Sequence, residues 1–154
     1  MPTLNPTPKP TFRDLDAAEC HAFLANHNVG RLALSHRDRV DIVPIHYVFD
    51  DGWLYCRTAA GNKLEMATHN RWVAFEVDEV EALFSWRSVV VKGGLYLLRG
   101  DGSEQERALY DRGVTMLRKL IPETIGPMDP LPERAIIFRV HVDEMTGRSA
   151  STSK

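Results

Sequence analysis

The sequence predicts a mainly β domain: six antiparallel strands closed into a barrel, with helices flanking its ends. Three observations predict it. Runs rich in Val, Ile, Tyr and Phe, all strand formers, recur from Arg31 onward. The links between the first of them, such as Asp50-Asp51-Gly52, are short turns that suit antiparallel hairpins. Six strands joined mostly by hairpins leave two open edges unless the sheet closes on itself.

Taken in order, residues 1–12 read as an N-terminal tail, because the first ten hold four prolines and no apolar pattern. The domain proper spans 13–148. Asp16-Ala-Ala-Glu19 has the spacing of a capping box, and Cys20, Phe23 and Leu24 follow at i, i+3 and i+4. This predicts a helix from about Asp16 to His27, ended before Gly30. Strands follow over Arg31–Ser35, Val40–Phe49 and Trp53–Arg57. Pro44 lies inside the second of them and cannot donate to a ladder, so that stretch is an edge or lines a site. Ala59-Ala60-Gly61 breaks the sheet, and Asn62 suits an N-cap for a helix over Lys63–His69. Arg71–Asp78 reads as a strand, Glu79–Arg87 as a loop, and Ser88–Leu98 as a long apolar strand bent at Gly93-Gly94. Ser103-Glu-Gln-Glu106 opens a helix to about Leu120. Ile121–Pro132 holds four prolines and reads as an irregular loop, Ala135–Val142 as the last strand, and 149–154 as a polar tail.

A chain of 154 residues fits one domain around one core. The net charge of −2 gives no general attraction for nucleic acid, so an anionic ligand must be held by a local cluster. No apolar run approaches the roughly 20 residues a membrane span needs, and the first residues lack the apolar stretch of a secretory signal. Cys20 and Cys56 fit no zinc pattern and read as buried free thiols. A cytoplasmic domain without nucleic-acid or membrane partners is therefore expected.

The most informative stretch runs from Arg57 to Lys63: a strand ends, small residues turn, and a helix begins. A helix N-terminus offers free N–H groups and partial positive charge. Lys63 in its first turn opposes the helix dipole, a placement that makes sense with a phosphate between them. Arg57 and Thr58 would add donors. The residues alone leave open that Lys63 is a surface lysine after an ordinary turn.

Five segments in order extend this reading: VGRLALS (29–35), VPIHYVFDDGWLY (43–55), GNKLEMATHNRWVAFEVDE (61–79), WRSVVVKG (86–93) and FRVHVDEMTGR (138–148). Together they resemble the pyridoxamine-phosphate-oxidase-like flavin split barrels, and within them the short members similar to nitroimidazole-resistance reductases. The resemblance implies a homodimer with FMN at its interface. It implies that Val43, Pro44, Ile45 and His46 run beside the isoalloxazine ring, that Arg57 and Thr58 face the flavin, and that Asn62 and Lys63 hold its phosphate. It places Trp86, Ser88 and Val89 near the ring system. The implied activity is that of an FMN-dependent oxidoreductase of a small molecule. The alternative is a binding or carrier protein for flavin, deazaflavin or haem without turnover. Where the pyridoxamine phosphate oxidases carry an Arg-Lys pair this chain has Asn62-Lys63, and it stops soon after Arg148, so pyridoxamine phosphate oxidation itself is not expected.

The six histidines show no metal-ligand spacing, and no metal site is expected. His46, in the presumed flavin strand, is the candidate catalytic residue, against the plainer reading of a strand histidine with satisfied hydrogen bonds. Backbone N–H groups near Ile45 and Thr58 would bond the flavin edge, and the Ile121–Pro132 loop would shape the substrate pocket.

Overall fold

A computed structural model describes residues 4–152. Its elements in chain order are β1 (Pro10–Leu15), α1 (Ala17–Ala25), β2 (Val29–His36), β3 (Arg39–His46), β4 (Val48–Asp50), β5 (Trp53–Thr58), α2 (Asn62–His69), β6 (Trp72–Ala82), β7 (Ser85–Leu98), α3 (Glu104–Leu117), β8 (Ile136–His141) and β9 (Glu144–Thr152). All pairings are antiparallel. The described residues thus form nine strands where six were expected.

The sheet is not closed. Its main path runs β3-β2-β6-β7-β8-β5-β4, with β9 added against β7 and β1 against β9. The expected continuous strand Val40–Phe49 is broken at Tyr47 into β3 and β4, which stand at opposite ends of that path. Tyr47 is fully buried, its N–H bonds to Asn28 O at 2.8 Å and its hydroxyl donates to Leu24 O at 2.7 Å. The N–H bond carries the β2–β3 register one residue beyond His46, and from Val48 the chain pairs with β5 instead.

The divergence of the two halves is set on β7. Residues 86–92 pair with β9, and residues 95–98 pair with β8. The switch falls at Gly93-Gly94, where the chain linking β8 to β9 crosses closely: Asp143 N–H bonds to Lys92 O at 3.1 Å. The glycines were read as a bend; their role is to let two strands leave the same edge. The predicted loop Glu79–Arg87 is instead mostly ladder, with β6 reaching Ala82 and β7 starting at Ser85.

The tail assignments also change. Residues 10–12 belong to β1, and 149–152 extend β9, with the pair in register from Pro10↔Thr152 to Leu15↔Gly147. Residues 1–3 and 153–154 of the expected tails lie outside the described residues.

The larger core cluster fills the interior between the strands, with Phe23 and Leu24 of α1 packing on Phe75, Val77, Val89 and Val91. A second cluster lies under α3, where Val114 and Leu117 cover Tyr55, Leu98 and Ile137. Cys20 and Cys56 are free and buried, and burial raises the pKa of both thiols. No described helix is long and apolar enough to cross a membrane.

The predicted box at Asp16 is complete: its carboxylate accepts from Glu19 N–H at 2.8 Å, and Glu19 reaches back to Asp16 N–H at 3.3 Å. Losing an N-cap acceptor costs about 1 kcal/mol. Asp16→Ala is therefore expected to lower stability by that amount in a thermal melt, and Asp16→Ser to restore most of it.

Candidate functional site

Three segments meet at one end of the sheet. β3 presents Asp41, Val43 and Ile45 inward, because alternate side chains of a strand face opposite sides. β5 ends at Thr58. Ala59, Ala60 and Gly61 then turn the chain into α2 without filling the space beside it; a Cβ added at Gly61 would meet nothing within 4 Å. What remains is a cavity of about 510 Å³, within the range of small-molecule sites. Leu32, Leu34, Leu95 and Phe138 supply an apolar floor, and Asn62, Lys63 and Arg134 lie at its border.

The start of α2 differs from expectation in one detail. Gly61, not Asn62, is the N-cap, and no side chain caps the helix. α1 and α3, by contrast, are capped by Asp16 and Ser103. The first turn of α2 thus has no side-chain cap, and its residues Asn62, Lys63 and Leu64 line the cavity, a start of helix whose free N–H groups and lysine suit an anion.

Of the residues expected to bind a cofactor, Val43, Pro44, Ile45, Arg57, Thr58, Asn62 and Lys63 line this cavity. Pro44 sits on an edge strand, paired only through β2, and lines the site as well, so both readings of it hold.

Arg57 has another task. It is buried, its Nε donates to Arg134 O at 2.8 Å, Nη2 to Leu131 O at 2.7 Å, and Nη1 and Nη2 to the two oxygens of Asp129 at 3.3 and 2.7 Å. With these bonds made, its guanidinium is committed to the Pro-rich segment rather than available to a phosphate. That pairing, helped by N–H donors from Leu131 and Ile125, holds the Asp129 carboxyl down at about 2. The Ile121–Pro132 loop does not line the cavity itself; it is tied down by Asp129 and delivers Arg134 to the border.

His46, Trp86, Ser88 and Val89 do not line the cavity. His46 is exposed and follows the inward Ile45, so its side chain faces the other side of the sheet. Trp86 stands opposite Val80 and lies 6.2 Å from the Phe12 ring. The Ser88 hydroxyl donates to Glu76 at 3.2 Å, within a cluster where Arg31 bridges Glu76 and Asp78. Burial, and then Asp78, raises the Glu76 carboxyl pKa. Val89 is fully buried in the core.

Sequence reasoning missed Arg134, Asp41 and the apolar floor. Asp41 was legible from β3 alternation, two residues before Val43. Arg134 carried no local signal, since its place depends on an ion pair formed 72 residues apart in the chain.

Comparison with known proteins agrees with this architecture. Residues 16–149 match the pyridoxamine 5'-phosphate oxidase family. The chain is 32% identical over 147 residues to an uncharacterized protein of Rhizobium meliloti, covering 90% of this chain and 95% of that one. A crystal structure of an FAD-binding protein from Mesorhizobium loti shares 29% identity with a TM-score of 0.72, covering 92% of this chain and 99% of its own. The FAD-binding protein of Mycobacterium smegmatis shares 27% identity with a TM-score of 0.63, over 90% of this chain and 98% of its own.

Proposed function

The chain belongs to the pyridoxamine 5'-phosphate oxidase family, and from that premise we propose that its cavity binds a phosphate-bearing flavin, FMN in the first instance, in the service of an oxidoreductase acting on a small molecule. One observation carries the reading: a cavity with an apolar floor opens onto an uncapped helix N-terminus that bears Lys63. A flat ring system needs the first feature and a phosphate the second. The FAD-binding character of two related structures supports a flavin over other anions.

Bound flavin supplies the hydride and electron chemistry. The chain's own residues bind, orient and exclude water. Val43 and Ile45 press on the ring from β3, Leu34 and Phe138 keep water from its buried side, and Thr58 lies where the ring edge meets the end of β5. The Lys63 ammonium and the first N–H groups of α2 neutralise the phosphate.

A homodimer is part of the proposal. The outer face of β3 and β6 leaves Val40 77%, Ile42 60% and Trp72 62% exposed at one end and Val80 67% beyond the Arg31–Glu76–Asp78 cluster, and exposed apolar side chains of this kind support an interface. His46, Trp86 and Ser88 stand on that face, where a second copy would bury them beside the open edge of the cavity.

Lys63→Ala tests the reading. A hydrogen bond to a charged group contributes about 1.5–3 kcal/mol, or roughly 10–100-fold in affinity. FMN titration followed by flavin fluorescence should show that loss with an unchanged thermal melt; equal affinities for variant and wild type would contradict it. Repeated turnover of NAD(P)H with an acceptor supports the enzyme, whereas stoichiometric binding without turnover supports a carrier, including one for deazaflavin or haem.

A further inference from the structure

Two cations border the cavity, and the second is placed with unusual care. Arg134 lies at the border with Lys63 and is exposed. The bonds it makes within the protein are through its backbone: its carbonyl accepts from Arg57 at 2.8 Å, and its N–H donates to Leu131 O at 3.0 Å. Among the described residues its guanidinium makes no hydrogen bond or ion pair, and the residue lines the cavity.

The segment that carries it is fixed from below. Arg57 is 8% exposed and Asp129 3%. The Asp129 oxygens also accept from Ile125 N–H at 2.9 Å and Leu131 N–H at 3.0 Å. A buried ion pair is weak evidence for stability, since desolvation offsets most of its attraction; such pairs are better understood as devices that fix one geometry. Here the fixed geometry is that of residues 129–134, and Arg134 is its end.

The charges on the cavity wall support an anion. Arg57 and Asp129 cancel one another. Of the rest, Lys63 and Arg134 are positive, and Asp41, whose carboxylate already accepts Ile42 N–H at 2.8 Å, is the one carboxylate among the lining residues. Two cations from separate segments suit a single dianionic group held from two sides. Arginine brings a planar fork that matches phosphate oxygens in pairs, which a lysine does not.

We propose that Arg134 is the second phosphate-binding cation of this site and that Arg57, through Asp129, is the residue that positions it. The proposal rests on the flavin reading and adds to it a demand for the phosphate monoester. It also gives the site, which has Asn62 ahead of Lys63, a second cation from a different part of the chain.

The test compares FMN with riboflavin, which has the same ring and no phosphate, on wild type, Arg134→Ala, Asp129→Asn and the double variant. Wild type should bind FMN more tightly than riboflavin. Arg134→Ala should weaken FMN by about tenfold or more and leave riboflavin affinity within about twofold. Asp129→Asn should weaken FMN in wild type and add nothing to Arg134→Ala, because both act through one guanidinium. Equal loss for both flavins in Arg134→Ala, or no loss for FMN, overturns the role of Arg134. Additive effects in the double variant overturn the positioning role of Arg57 and Asp129. Wild type that binds both flavins equally removes the phosphate demand but keeps the flavin reading, and wild type that binds neither removes both.

Discussion

Gly93→Ala is expected to be among the most damaging single-methyl changes in this protein. A Cβ at Gly93 would overlap the His141 carbonyl oxygen and lie 3.3 Å from Asp143 N. Both neighbours are backbone atoms where β8 hands over to β9, so neither can rotate away. Relief requires β7 and the β8–β9 link to separate, which breaks the Asp143 N–H bond to Lys92 O. Overpacking of a rigid site costs about 3 kcal/mol, and for a domain of this size that lowers Tm by about 6–12 °C. Gly94→Ala should be milder, because the nearest atoms there belong to the Tyr96 ring at 3.0–3.2 Å, and that side chain is partly exposed and can shift. A thermal melt of the two variants checks the ranking; equal losses would mean that the backbone contact at Gly93 does not set it apart from Gly94.

Arg57→Ala should destabilise at least as much, for an electrostatic reason. It removes four hydrogen bonds and leaves a carboxylate that is 3% exposed without its counter-ion. An uncompensated buried charge is far more costly than the loss of a whole pair. Arg57→Met with Asp129→Leu should therefore be more stable than Arg57→Ala alone, although both lack the ion pair.

The pair also has a pH signature. The Asp129 carboxyl falls from 3.8 to about 2 in the folded chain. A depressed acid stabilises the fold above its unfolded value and loses that contribution as pH falls through the folded value. The window is thus from about pH 4 down to about pH 2. Asp129→Asn should flatten the fall of Tm in that window relative to wild type. An unchanged slope would show that other carboxylates, such as Glu19 with its pKa lowered by Arg13, account for the acid sensitivity.

What the sequence made legible were features written in neighbouring residues. The Asp16 box, the Asp51-Gly52 turn, the break at Ala59-Ala60-Gly61 and the edge position of Pro44 all follow from local chemistry. β1 and β9 escaped because they are polar, lack alternation and find each other from opposite ends of the chain. The break at Tyr47 escaped because a run of strand formers looks the same whether it keeps one neighbour or changes from β2 to β5 partway. The closed barrel was an inference from edge protection; here β3 and β4 remain edges, joined by the chain through Tyr47.

At the site, the turn from Thr58 to Lys63 and the inward residues of β3 line the cavity, but runs of neighbours were assigned together. His46 turns to the exposed side of β3, Val89 points into the core and Ser88 meets Glu76, so none of the three reaches the cavity. Residues from 43–45, 57–58 and 62–63 line the cavity, and none from 86–89 does.

The measurement that tests the account most directly is the absorbance spectrum of the purified protein after incubation with FMN and removal of free ligand, repeated on Lys63→Ala. The account predicts flavin bands at about one per chain for wild type, as expected of one flavin site per chain, and a marked loss for the variant. Wild type that retains no flavin, or a variant that retains as much as wild type, would contradict a flavin phosphate held at the start of α2.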